Sequence, residues 1–168
     1  MKVVFSCGRS NPPTLGHLKV IETMRSLARE RDADVMVFLT KTVDAKRNPL
    51  APEVKVEMAK RAFGCDVRLT TSPYSALEEL QAAGVTEATF VIGEDRRDRF
   101  LLMEKYATEG GIKLRYEVVS RTEEDVSATA ARDAVTRDDF ETFKSLVPSP
   151  DGDFARDLFR AVGLGLGG

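Results

Sequence analysis

The chain has 168 residues, 42% of them hydrophobic and 31% charged, with a formal net charge of −2 and a sequence pI of about 5.6. That length buries a core without disulfides or metal staples, and the acidic balance excludes bulk attraction to nucleic acid or an anionic membrane, so any anion site must be local. No apolar run reaches the roughly 18 residues of a membrane span, no leader pattern opens the chain, and two distant cysteines, Cys7 and Cys65, suit thiols in a reducing compartment; a cytoplasmic location is expected.

In chain order the pattern alternates strand and helix. Lys2 to Phe5 reads as a strand, followed by a turn-rich loop from Gly8 to Pro13. Leu15, Leu18, Ile21, Met24, Leu27 and Ala28 recur at helical spacing and predict a helix with these side chains inward, ending near Asp32. Val35 to Leu39 is a continuous apolar run, as expected of a parallel strand covered on both faces. After a loop holding Lys46 and Arg47, a second helix turns Val54, Met58, Ala62 and Phe63 inward. Val67 to Thr70 predicts a third strand, Ser75 to Ala83 a helix and Ala88 to Ile92 a fourth strand. Gly93-Glu94-Asp95-Arg96 is expected to open another helix. Leu114 to Val119 predicts a fifth strand, and 127–162 reads as helical with a break at Pro148-Ser149-Pro150. The whole reads as an α/β, Rossmann-like, doubly wound parallel sheet of about five strands with a helical C-terminal part. One domain over 1–162 is expected, with a flexible glycine-rich tail at 163–168.

Two segments suggest phosphate chemistry. The first is Thr14-Leu15-Gly16-His17, where a loop leaves a strand and opens a helix. Backbone N–H groups and the positive dipole end favour an anion there, and the chain's single histidine lies in the first turn. Taken alone, a lone histidine near a helix start is as readily a surface residue. The second is Val126-Ser127-Ala128-Thr129-Ala130-Ala131-Arg132. It reads as a helix N-terminus with Ser127 as N-cap, hydroxyls at Ser127 and Thr129, and a forked guanidinium at Arg132; an ordinary capped helix explains this segment by itself. In a doubly wound sheet, ligands bind beyond the carboxyl ends of the strands. The loops holding Gly8 to His17, Lys41 to Arg47, Gly93 to Arg97 and Arg121 to Ser127 all fall there.

Together, in this order, the two segments resemble the signature pair of the HIGH-type nucleotidyltransferase superfamily. Lys46-Arg47-Asn48-Pro49-Leu50 with the helix after it is similar to the lysine loop of phosphopantetheine adenylyltransferases. Gly8-Arg9 and Gly16-His17-Leu18-Lys19-Val20-Ile21 are closer to archaeal-type nicotinamide mononucleotide adenylyltransferases. The resemblance implies transfer of a nucleoside monophosphate, with AMP from ATP favoured, to a phosphorylated small-molecule acceptor, with pyrophosphate leaving. It assigns His17 to the α-phosphate, with Thr14 orienting that phosphate, and Ser127, Thr129 and Arg132 to the β- and γ-phosphates. Lys46 and Arg47 would receive the acceptor's phosphate, with Ser10 nearby. Gly8, Arg9 and Gly16 belong to the nucleotide cradle, and Gly93, Asp95 and Arg96 would border base and ribose. Mg²⁺ is expected on triphosphate oxygens, with no dedicated protein metal site. Ser10-Asn11 and Thr14 depart from one or other subfamily, which leaves the acceptor open, and CTP remains an alternative to ATP. The rival reading is a nucleotide-binding or assembly protein that keeps the fold without turnover. The sequence leaves homo-oligomer formation open.

Overall fold

The computed structural model describes residues 1–94 and 102–167. Five parallel strands, β1 (Lys2–Gly8), β2 (Asp34–Thr40), β3 (Asp66–Thr70), β4 (Glu87–Gly93) and β5 (Lys113–Val119), form one sheet in the order β3-β2-β1-β4-β5. The order reverses beside β1, so the crevice outside the ends of β1 and β4 is the topological switch point. The apolar runs explain the arrangement: strands buried on both faces need helices on both sides.

On one face, α3 (Pro73–Ala82) and α4 (Met103–Glu109) cover Val3, Phe5, Phe38 and Phe90. Phe5 stacks on Phe90 with ring centroids 4.6 Å apart. On the other, α1 (Leu15–Arg31) and α2 (Pro52–Phe63) cover Val4, Val37, Leu39 and Val91. A third apolar cluster joins Leu50 and Met58 to the C-terminal helices α5 (Thr122–Thr136), α6 (Phe140–Leu146) and α7 (Phe154–Gly165).

Three expectations need correction. Leu15 is exposed, because the buried stripe of α1 runs through Gly16, His17, Val20, Ile21, Met24 and Ala28; the helix is rotated so that its first turn faces α5 and the switch point. Ser127 is not an N-cap: α5 begins at Thr122, where Glu123, Glu124 and Asp125 suit the positive dipole end, and the C-terminal helical region also breaks near Asp138, whose φ is 53°. Gly163, Leu164 and Gly165 continue α7 rather than leaving it as coil. A Cβ on Gly165 would lie 1.8 Å from the Pro49 carbonyl oxygen, so the end of this helix is seated against the loop that precedes α2.

Candidate active site

At the switch point lies a cleft of about 1330 Å³, walled by the loop after β1, the segment after β2 and the start of α5. Among the residues singled out from sequence, Gly8, Arg9, Ser10, His17, Lys46, Arg47, Thr129 and Arg132 line it together. Thr14, Gly16, Gly93 and Ser127 do not line it. Asp95 and Arg96 lie outside the described residues.

His17 is held by its own loop. It occupies the third position of α1 and is buried, and its Nδ1 accepts a hydrogen bond from the Thr14 backbone N–H at 3.0 Å. An N–H can only donate, so Nδ1 carries no proton and the neutral ring keeps its hydrogen on Nε2. Thr14, fully buried, also brings Oγ1 to 2.9 Å from Nδ1. Burial, with Arg121, Arg9 and Arg132 nearby, pushes the imidazole down to about 3. At neutral pH His17 is therefore a hydrogen-bond donor through Nε2 and not a cation.

The guanidinium groups come from three directions. Arg132 donates through Nη1 to the Asn11 carbonyl at 2.9 Å and lies 3.3 Å from Thr129 Oγ1. Arg121, in a loop that the sequence places at the carboxyl ends of the strands without marking it as a ligand, is clamped to Glu124 by two bonds of 2.7 and 3.2 Å, and donates to the Cys7 carbonyl at 3.1 Å. It lies across Gly8, where a Cβ would come within 2.9 Å of its Nη2. Its position directly after β5, at a carboxyl end of the sheet, was the available signal. Arg9 pairs with the exposed Asp125 at 3.6 Å, a geometry of little worth in water.

The lysine loop is shaped by Asp44. Its carboxylate accepts from the backbone N–H groups of Lys46 at 2.9 Å and Arg47 at 2.7 Å, and from Asn48 Nδ2 at 2.9 Å. These bonds hold the Asp44 carboxyl well below the usual carboxylate range. Lys46 and Arg47 are left exposed at the cleft wall. Asn11, also missed from sequence, ties this wall to the first loop: its Oδ1 accepts from Leu50 N–H at 2.9 Å, while its Nδ2 is buried without a partner among the described residues.

Lys55 was overlooked as well. It is fully buried, donates to the Thr40 carbonyl at the end of β2 and makes no ion pair among the described residues. Burial, then Arg9, pushes its ammonium down to about 8. The signal was its spacing, since Lys55, Met58, Ala59 and Phe63 share the buried face of α2. Cys7 also borders the cleft, but burial drives its thiol up to about 12, which leaves it protonated and unsuited to nucleophilic attack.

The model of the cytidylyltransferase-like family matches residues 5–144, well over half of the chain and spanning both motif segments. The chain belongs to the cytidylyltransferase-like family. It is thereby placed among the HIGH-type nucleotidyltransferases, as its paired motifs suggested. A search of curated proteins finds no match to this family member. Among solved structures it resembles Thermotoga maritima TmcAL bound with alpha-thio ATP, at 18% identity and a TM-score of 0.64, covering 95% of this chain and 56% of that one. It also resembles a Vibrio parahaemolyticus protein described as a nicotinate-nucleotide adenylyltransferase, at 22% identity and a TM-score of 0.57, covering 99% and 96%. At these identities the likenesses establish the shared α/β fold. The chain spans little more than half the length of the Thermotoga protein. No helix among the described residues is long and apolar enough to cross a membrane.

Proposed function

We propose that the protein transfers AMP from ATP to a phosphorylated small-molecule acceptor. The observation that carries this reading is His17: Nδ1 is turned back onto Thr14, which leaves Nε2–H as the donor available to the cleft between Arg9, Arg121 and Arg132. An acceptor phosphate oxygen forms a bond to the α-phosphorus, the bond from that phosphorus to the bridging oxygen breaks, and pyrophosphate departs with the electron pair. The chain needs no covalent nucleophile, because positioning and charge neutralisation supply most of the acceleration in such transfers. His17 donates to an α-phosphate oxygen as charge shifts there. Thr129 and Arg132 hold the β- and γ-phosphates, and Lys46 with Arg47 meets the acceptor's phosphate from the opposite wall. Adenine is favoured by the neighbours' descriptions, one bound with alpha-thio ATP and the other an adenylyltransferase.

Mg²⁺ fits as the counterion of the triphosphate. Triphosphate oxygens and water would supply most of its ligands. When bound it neutralises negative charge on the departing pyrophosphate.

The test is pyrophosphate release from each of the four common nucleoside triphosphates against a panel of phosphorylated acceptors. ATP with one acceptor is expected to give turnover. Arg132→Ala should then weaken triphosphate binding by about 1.5–3 kcal/mol with acceptor affinity unchanged. Lys46→Ala/Arg47→Ala should raise the acceptor's KM alone, the double substitution guarding against compensation by the adjacent cation. Triphosphate binding without pyrophosphate release from any pair would overturn the reading in favour of a nucleotide-binding protein.

A further inference from the structure

Ser127 sits where a phosphate ligand was expected, yet its surroundings give it other work. It lies inside α5, so its backbone N–H is committed to the helix ladder. Its hydroxyl lies 2.6 Å from the Glu123 carbonyl oxygen and 2.7 Å from Thr14 Oγ1, and Ser127 does not line the cleft. The approach depends on Gly16, where a Cβ would fall 2.5 Å from the Glu123 carbonyl oxygen and 2.6 Å from Ser127 Oγ. The backbone of α1 therefore meets α5 at the one position without a side chain. From there a short polar path runs from Ser127 Oγ to Thr14 Oγ1 to His17 Nδ1, with steps of 2.7 and 2.9 Å.

We infer that Ser127 is a positioning residue, through which α5 fixes the aim and tautomer of His17. A carbonyl cannot donate, so the Ser127 hydroxyl donates to the Glu123 carbonyl and its oxygen accepts from the Thr14 hydroxyl. Thr14 is thereby tied to α5, and its backbone N–H is kept aimed at Nδ1. That backbone donor at Nδ1 holds the hydrogen on Nε2. Because α5 also carries Thr129 and Arg132, the helix that meets the triphosphate is the one that sets the histidine. The inference rests on the reading of His17 as the α-phosphate donor, but its test does not.

His17 is the only histidine, so the unliganded protein labelled with ¹⁵N-histidine gives a single pair of ring-nitrogen signals. The wild type should show an unprotonated Nδ1 and a protonated Nε2. Ser127→Ala should move the Nδ1 signal toward the tautomer average, lower kcat about tenfold and leave triphosphate Kd within about twofold. Thr14→Val, which keeps the backbone donor but removes the hydroxyl, should do the same. The double variant should be no worse than the poorer single one, since both break one path. Ser127→Thr, which retains the hydroxyl, should restore most of kcat. Unchanged ring-nitrogen signals in Ser127→Ala would overturn the inference, as would additive losses in the double variant. Weakened triphosphate binding at constant kcat would return Ser127 to the role of phosphate ligand. If no substrate pair releases pyrophosphate, the reaction assignment fails while the spectra still decide the part played by Ser127.

Discussion

An imidazole that must stay neutral in the folded state makes the protein sensitive to acid. His17 is held down to about 3 against an ordinary value of 6.5, chiefly by burial. Between those values the unfolded chain binds a proton that the folded chain does not, so the stabilisation is complete above about 6.5 and is lost as pH falls. The expected loss between pH 6.5 and 5 is about 2 kcal/mol, measured by urea unfolding at each pH. His17→Asn should flatten the curve in that window, and an equally steep variant would show that the slope arises elsewhere. Lys55 gives the opposite lesson at the alkaline end. Its ammonium is held down to about 8 from 10.5, so folding gains stability as pH climbs from 8 to 10.5 and the charged form is a burden at neutrality. Lys55→Met should therefore stabilise the fold by about 1–3 kcal/mol at pH 7, seen as a higher Tm. A lower Tm would mean that its bond to the Thr40 carbonyl outweighs the buried charge.

The contact between α1 and α5 decides whether the two motif segments work together. An alanine in place of a mid-helix glycine ordinarily gains up to about 1 kcal/mol. At Gly16 the sign should reverse, because the added Cβ meets the Glu123 carbonyl oxygen at 2.5 Å and backbone gives way poorly. Gly16→Ala is expected to cost about 1–3 kcal/mol and, by displacing α5, to weaken triphosphate binding; calorimetry and thermal melts on the same sample check both. The start of α5 was misread from sequence for a physical reason. Ser127 is a good N-cap residue, and Thr122-Glu123-Glu124-Asp125 looked like polar loop, although acidic side chains at the positive end of a helix dipole are stabilising in place. Residue spacing showed which side chains could gather at the switch point. It could not show that Ser127 faces Thr14, because that depends on where two helices cross. Likewise Asn11 and Arg121 act through bonds to the Leu50 N–H and the Cys7 carbonyl, which side-chain patterns do not reveal.

At the scale of the molecule the parallel sheet was readable because runs such as Val35 to Leu39 have no polar face to give to solvent. The third apolar cluster was not, since it joins the consecutive helices α5, α6 and α7 to Leu50 and Met58, far from them in sequence. Phe143, fully buried there and 5.3 Å from the Phe159 ring, anchors α6 to α7. Phe143→Ala should cost about 3–5 kcal/mol. Because Leu50 and Met58 bind this cluster to the segment leading into α2, the chain should still unfold in one transition by circular dichroism and tyrosine fluorescence. Two separated transitions would mark the C-terminal helices as an independent unit.

The seat of Gly165 on Pro49 gives the cleft an adjusting screw on its outside. Lys46 and Arg47 lie just before Pro49, and Leu166 reaches the rim from the other side of the same contact. Any bulk added at residue 165 is transmitted through the Pro49 backbone to the strap bearing those two cations. A mutant library aimed at the Lys46–Arg47 wall therefore gains a handle in a helix whose residue 165 lies outside the cleft.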